Sequence, residues 1–500
     1  MNDQRNVLKS KFKESHRYNN FGNVLIQIHV QGFRCHANTV IDIKNPITAF
    51  CGLNGVGKST LIQLIAVAYK GKLTQDTYYI SKFINIHKFD PKPFRDDAKV
   101  SYQYCSADNK SQQTTISRRR NGSWSNYARR PYRKVLYVGV GSYLPKVDTS
   151  DFTVRYPQGI QLIESQPINK AMQKWTCKIL GKNYDEILAH TFQFRRKRDI
   201  INSVKHEAIE YSEPHMGYGE ARSQYLVRHI EALPEKSLIL LEEPEISLHP
   251  SAQYQLGCYL VDVSVRKGHQ IFLTTHSESL LSSLSSDSII CLKKTNEGVK
   301  TIPGLTASQS YSLMSEGYSK ALTILVEDKK DQSVAQCILT EVIRTIDPEF
   351  LSFLGIFPVG SCETVKTAIE ALKDTNHKFA AVLDADQNPT PDNNIFVLPS
   401  HNKKAPEVEI FCESPQVVEY VYKNYEVKLD DFLAAIKGID HHYWFEKLAQ
   451  KISIKEIALV SELSKVYVQT LSENERSSLV QQLKEATSPP KPAQKNSSNN

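Results

Sequence analysis

Gly52-Leu-Asn54-Gly55-Val-Gly57-Lys58-Ser59-Thr60 has the residue types and spacing of a loop that wraps a polyphosphate. Its glycines let the backbone turn N–H groups inward, and a helix starting behind them adds positive potential. In this reading Lys58 reaches the β- and γ-phosphates and the Ser59 hydroxyl holds Mg²⁺. Asn54, Gly55, Gly57 and Thr60 complete an ATP cradle. Glu242-Glu243 supplies the complementary acids: Glu242 to hold Mg²⁺ through water, Glu243 to polarise the attacking water. His276 is positioned to sense the γ-phosphate. Gly217-Tyr-Gly219-Glu220 offers two glycines for close backbone approach and a helix N-terminus for a nucleotide. Far downstream, Glu327, Asp384 and Asp386 form a set suited to hard divalent cations, which prefer carboxylate oxygens.

These residues need elements to carry them. Pro46–Cys51 reads as a short buried strand entering the phosphate loop, and Leu61, Ile62, Leu64, Ile65 and Ala68 recur behind it at helical spacing. Residues 23–50 read as two strands around Gly32-Phe33-Arg34. Ser237–Leu241 is a buried strand delivering Glu242, with a helix expected from Gln253. Gln270–Thr275 is the next strand and delivers His276. A helix is expected near Glu220. The stretch 71–210 mixes strand and helix signals and is expected as an internal insert; it carries no sustained heptads.

The pattern restarts after residue 320. Ala321–Val326 is an apolar strand ending in Glu327, and the helix after it has Val334, Ala335, Ile338, Leu339, Val342, Ile343 and Ile346 on one face. Phe353–Val359 is a second strand, Thr364–Lys373 a second helix, and Ala380–Leu383 a third strand delivering Asp384. This βαβαβ order puts acids at strand C-terminal ends, where open α/β sheets place their sites. Asp331, one helical turn beyond Glu327, faces the same way. Two cations held there would activate water and stabilise a leaving oxygen in phosphodiester cleavage.

The fold class is therefore α/β. Domains are expected at 1–320 (ATPase) and 321–411 (βαβαβ), followed by helices over 412–486 and a Pro-, Ser- and Asn-rich disordered tail over 487–500. With 500 residues, 40% hydrophobic and 23% charged, the chain has the composition of a globular protein with several cores. No apolar run approaches the roughly 20 residues of a membrane span, so no membrane partner is expected. Nine cysteines without CxxC pairs argue against zinc and disulfide frameworks and for a reducing cytoplasm. The net charge of +8 is clustered at Arg118–Arg120, at Arg129-Arg130 with Arg133 and Lys134, and at Arg195–Arg198. Such clusters suit either nucleic-acid phosphates or a solvated surface.

The order of phosphate loop, Gly-x-Gly-Glu, Glu-Glu and histidine resembles the SMC/RecF-like branch of ABC-type ATPases, as do Gly32-Phe33-Arg34 and Glu242-Glu-Pro-Glu-Ile-Ser-Leu-His-Pro250. That likeness implies a homodimer, or a larger assembly of dimers, in which Gly217, Gly219 and Glu220 cap the nucleotide of the partner. The downstream strand–Glu and strand–Asp-x-Asp resemble the Toprim fold, and the fusion resembles the overcoming-lysogenisation-defect (OLD) family of ATP-dependent endonucleases. The family likeness makes Glu327, Asp331, Asp384 and Asp386 metal ligands for Mg²⁺, or Mn²⁺ at this site. It adds Glu409 as a ligand and Lys403 or Lys404 as a transition-state stabiliser, after Leu398-Pro-Ser400. Toprim domains usually carry Gly after the first Glu, where this chain has Asp328. The implied activity is metal-dependent cleavage of DNA in antiphage defence. A contrasting expectation is an ATPase scaffold with a degenerate Toprim domain that regulates a separate effector protein. A third is a RecF-like repair ATPase, which leaves the acids idle.

Overall fold

The computed structural model describes residues 3–107, 111–144, 157–315, 320–327, 334–372 and 378–487. The chain divides into two compact units, Met1–Met314 and Ser315–Asn500.

The first unit is built on a six-stranded sheet in the order Gly298–Pro303, Ile289–Thr295, Ile47–Cys51, Gln270–Thr274, Leu238–Glu242 and Val135–Val138. Gly298–Pro303 runs antiparallel to its neighbour; the other five strands are parallel. Ile47–Cys51, Leu238–Glu242 and Gln270–Thr274 are buried at every position, which is why they read as unbroken apolar runs rather than alternations. The helix Lys58–Ala66 packs on Leu238–Glu242 and Gln270–Thr274 through a side that includes Leu61, Leu64 and Ile65. Two antiparallel sheets accompany this core. One orders His36–Asp42, Leu25–Phe33, Phe94–Cys105 and Ser111–Ser117; the other orders Ile209–Ser212, Lys197–His206, Glu186–Phe194 and Gln161–Pro167.

The stretch 71–210 is therefore not a single insert. Phe94–Cys105 pairs with Leu25–Phe33, and Val135–Val138 pairs in parallel with Leu238–Leu241 at the sheet edge. Only the strands from Gln161 to Ser212 form a sheet of their own. The helix expected from Gln253 begins at Pro250, with the His249 ring accepting from the Ala252 N–H and Pro at a position that needs no donor.

The second unit holds a four-stranded parallel sheet, ordered Leu354–Gly360, Leu322–Glu327, Phe379–Leu383 and Ile395–Val397. The helices Val334–Ile346 and Cys362–Leu372 connect its first strands. The pairing of Leu322–Glu327 with Leu354–Gly360 slips between Val326 and Glu327, and such an irregularity re-aims the residue that follows. The C-terminal helices Glu456–Thr470 and Glu473–Ala486 pack on Val334–Ile346, so the helical region shares a body with the βαβαβ sheet. Thr487 caps the last helix; the rest of the expected tail lies outside the described residues. Among the described residues no helix is long and apolar enough to cross a membrane.

Candidate functional sites

In the first unit the phosphate loop sits between a buried strand and a helix capped by Gly57, whose φ is 94°. A Cβ on Gly57 would lie 2.3 Å from His36 Nε2, and one on Gly52 (φ 134°) would lie 2.4 Å from the Leu292 carbonyl, so neither position has room for a side chain. Lys58 is buried and donates from Nζ to the carbonyls of Gly52 at 2.8 Å and Leu53 at 2.9 Å. Burial pulls its pKa down, against the opposing field of Glu243. Arg34 reaches from the preceding strand pair to donate to Thr60 Oγ1 at 3.3 Å.

Glu242 ends its strand nearly buried and accepts from Tyr137 Oη at 2.9 Å. Burial raises its pKa; hydrogen bonds from Tyr137 and Ser59 oppose that shift. The structure thus brings together Ser59 and Glu242, the two groups expected to share Mg²⁺. Glu243 follows at φ 45°, its N–H donating to the Thr274 carbonyl at 3.1 Å. Its Oε1 lies 3.8 Å from His276 Nε2. Burial lowers the His276 pKa and Lys58 adds to the effect, which favours a neutral ring.

Sequence reasoning missed three residues around these groups. Glu245 is buried and accepts from Thr275 Oγ1 at 2.5 Å and from the His276 N–H at 3.1 Å, fixing the backbone that carries the histidine. Arg222, fully buried, donates to the Glu243 carbonyl at 3.2 Å and the Val140 carbonyl at 3.2 Å, so the helix Tyr218–Glu231 is tied to the acid loop. Tyr137 sits on a strand the sequence did not reveal.

Gly217 caps the helix Tyr218–Glu231, and a Cβ there would meet nothing within 4 Å. A Cβ on Gly219 would lie 2.4 Å from the Ser247 carbonyl, so that glycine is required by packing within the chain. Glu220 is a correction. Its carboxylate accepts from Tyr184 Oη at 2.5 Å and Tyr211 Oη at 2.8 Å and pairs with Lys182 at 3.2 Å. It anchors the neighbouring sheet.

The basic clusters also divide. Arg133 is buried and donates to the carbonyls of Lys236 at 2.8 Å, Asn23 at 3.1 Å and Phe21 at 3.3 Å. Arg130 donates to Val67 and Tyr78 carbonyls, both at 2.8 Å. Both are internal staples, neither phosphate contacts nor solvated surface. Arg119, Arg120 and Arg195–Arg198 are exposed.

In the second unit, Glu327 and Asp384 end neighbouring parallel strands, and the Asp384 N–H donates to Glu327 Oε1 at 3.0 Å. Burial raises the Asp384 pKa to about 8, reinforced by Glu327, Glu407 and Asp386. Burial likewise raises Glu327, with Asp386 adding to the shift. Asp384 Oδ1 and Glu407 Oε2 are buried without a hydrogen-bond partner. Crowded carboxylates with orphaned buried oxygens are the donor set a divalent cation satisfies. Asp386 is exposed at the rim. Asp331 and Asp328 lie outside the described residues.

Two expectations fail here. Glu409 is buried, and its oxygens accept from the N–H groups of Asn402 at 2.8 Å, Lys404 at 3.2 Å and His401 at 3.3 Å. It holds the 401–404 turn, and Glu407 is the acid that faces Asp384. Lys404 is ion-paired with Glu413, leaving exposed Lys403 (φ 53°) as the unpaired candidate of the two. Leu398-Pro-Ser400, which resembles the family's trailing strand in sequence, lies beyond the strand itself, Ile395–Val397. Sequence reasoning also missed His442, whose Nδ1 lies 3.5 Å from Glu407 Oε1 and whose pKa that carboxylate raises to about 9.

Models of an AAA domain and an AAA ATPase domain match residues 27–209 and 148–281. The Old nuclease of Escherichia phage P2 is 25% identical over 199 residues, 35% of this chain and 34% of that protein. Endonuclease GajA of Bacillus cereus (strain VD045) is 28% identical over 167 residues, 30% of this chain and 28% of that protein. The chain is similar to OLD-type ATPase–nucleases. It spans about a third of the length of these OLD-type relatives. Among solved structures, an Smc head domain from Pyrococcus furiosus, bound to the C-terminal domain of ScpA, aligns over 59% of this chain and 99% of its own, at 12% identity and a TM-score of 0.39. The SMC head domain from Thermotoga maritima aligns over 56% of this chain and 98% of its own, at 15% identity and a TM-score of 0.34. The expected α/β ATPase class and the OLD-type likeness hold.

Proposed function

We propose that this chain is an ATP-hydrolysing, divalent-metal-dependent DNA endonuclease acting in antiphage defence. The observation that carries the reading is the pair of orphaned buried oxygens, Asp384 Oδ1 and Glu407 Oε2, with Asp384 and Glu327 at the ends of neighbouring parallel strands and Glu407 in the first turn of a helix. Glu327, Asp384, Asp386 and Glu407 hold Mg²⁺ or Mn²⁺, and Lys403 faces the phosphate. Cations bound there would supply activated water and charge stabilisation for the leaving oxygen. In the first unit, Lys58, Ser59 and Glu242 hold MgATP, Glu243 takes the water proton, and His276, held by Glu245, stays neutral beside it. Open Gly217 caps nucleotide across a homodimer, and ATP turnover gates the nuclease.

The test is supercoiled plasmid incubated with purified chain and Mg²⁺ or Mn²⁺, with and without ATP, beside Asp384→Ala. The expected result is metal-dependent nicking that Asp384→Ala lacks. Full nicking by that variant overturns the assignment. No cleavage by the wild type with ATPase activity intact favours the scaffold that regulates a separate effector.

A further inference from the structure

Glu407, His441 and His442 form the one group of three or more metal-ligating side chains, among the described residues, whose ligand atoms all lie within 4.8 Å of one another. The three come from two elements. Glu407 lies in the first turn of the helix Pro406–Cys412; the histidines belong to the short turn His441–Tyr443 that precedes the helix Trp444–Ile452. That turn is held in place: Asp440 accepts from the His442 N–H at 3.0 Å, and the Trp444 indole donates to the Ile439 carbonyl at 3.1 Å. The two imidazoles stand with centroids 4.1 Å apart.

Glu407 supplies the decisive observation. Its residue is 6% exposed, and its Oε2 is buried with no partner. Its Oε1 is 3.5 Å from His442 Nδ1, an ion-pair distance when that ring is protonated, and a bound metal would take the place of the proton. His441 Nδ1 is in turn 3.5 Å from Asp440 Oδ1. A buried carboxylate with one orphaned oxygen, facing two imidazoles of which one is exposed and one half-exposed, presents the donors a metal would use. Cations that prefer oxygen alone, such as magnesium and manganese, leave imidazoles idle, whereas zinc, copper, iron and nickel sites use them. Bond lengths of about 2.0–2.2 Å require the three donors to close modestly.

We infer that Glu407, His441 and His442 bind a divalent transition metal, with the carboxylate of Glu407 linking this ion to the Glu327–Asp384 pocket. Two protein nitrogens and one oxygen leave the solvent side open for water or a phosphate oxygen, as in catalytic rather than structural metal sites. The inference deepens the proposed nuclease and rests on it only for what the ion does, not for its binding.

The experiment uses the full chain, stripped with chelator and loaded with one equivalent of Co²⁺ or Zn²⁺. Affinity is read by calorimetry and by the visible absorption of Co²⁺, and the ligand shell by X-ray absorption at the zinc edge. The expected result is a shell containing two imidazoles, with affinity weakened about tenfold or more in His441→Ala/His442→Ala and in His442→Gln. Asp384→Asn retains the imidazole signal. Melting curves without metal show whether the variants fold, and His442→Gln, at an exposed position, keeps the test usable should the double variant not. An oxygen-only shell, or wild-type affinity in the histidine variants, overturns the inference. Imidazole-ligated metal in a chain that cleaves no DNA upholds it and removes the nuclease reading; cleavage with wild-type metal affinity in the histidine variants does the reverse.

Discussion

The main-chain N–H of Asp384 donates to Oε1 of Glu327 at 3.0 Å, joining the ends of two parallel strands whose carboxylates repel each other. The bond holds Glu327 against the start of the Asp384 turn, and Asp384 Oδ1 is itself buried with no partner. The arrangement costs stability when no cation is present.

That cost has a pH signature. The Asp384 pKa rises from 3.8 to about 8 on folding, so between about pH 4 and pH 8 the folded chain holds a proton that the unfolded chain has released. Stability conferred by that proton is full below pH 4 and falls as pH rises toward 8. Asp384→Asn is therefore expected to raise the stability of the second unit at pH 8 by several kcal/mol and to leave it nearly unchanged at pH 4. Melting curves at both pH values check this, and added Mn²⁺ is expected to stabilise the wild type at pH 8 more than the variant.

Glu243 and His276 stand 3.8 Å apart beside Lys58. Glu243→Gln is expected to lower ATP turnover by about 100-fold or more while leaving ATP binding intact, because it removes a base and keeps the shape. Steady-state ATPase rates and nucleotide affinity measured together test it; normal turnover would reassign the water-activating residue.

Glu245 positions His276 by accepting from the Thr275 hydroxyl and the His276 N–H. Glu245→Ala is expected to lower ATPase kcat about tenfold with little change in KM, and to cost about 1–3 kcal/mol by leaving the Thr275 and His276 donors unpaired. Glu245→Gln, which keeps an acceptor, is expected to recover much of both. Kinetics and denaturant curves separate the two effects.

Arg133→Ala and Arg119→Ala are expected to behave oppositely. The first leaves several buried carbonyls without donors and is expected to destabilise by more than about 3 kcal/mol. The second removes an exposed charge and is expected to leave the melting temperature unchanged. Thermal denaturation of both variants decides whether each cluster is structural.

Much of this was legible because two kinds of signal are local. Unbroken apolar runs such as Leu238–Leu241 mark central parallel strands, and Gly57-Lys58-Ser59 marks a strand-to-helix phosphate loop, since both depend only on residues near in sequence. Val135–Val138 was missed because four residues at a sheet edge carry little periodicity, and its partner is 103 residues away. Glu220 and Glu409 were misread because a carboxylate's role depends on which donors the fold brings to it, and Tyr184, Tyr211 and the 401–404 turn are not encoded in the neighbouring motif.

The sequence by itself determined the α/β class, the order of the phosphate-loop, Glu-Glu and histidine motifs and the strand-end placement of Glu327 and Asp384, because strand and helix periods and the glycine loop act over a few residues. Only the tertiary structure decided that Glu407 rather than Glu409 faces Asp384, that Arg130 and Arg133 are internal, and that His441 and His442 approach the acids. Those outcomes turn on burial and on hydrogen-bond partners far apart in the chain, which set whether a charge is satisfied, neutralised or left open for a ligand.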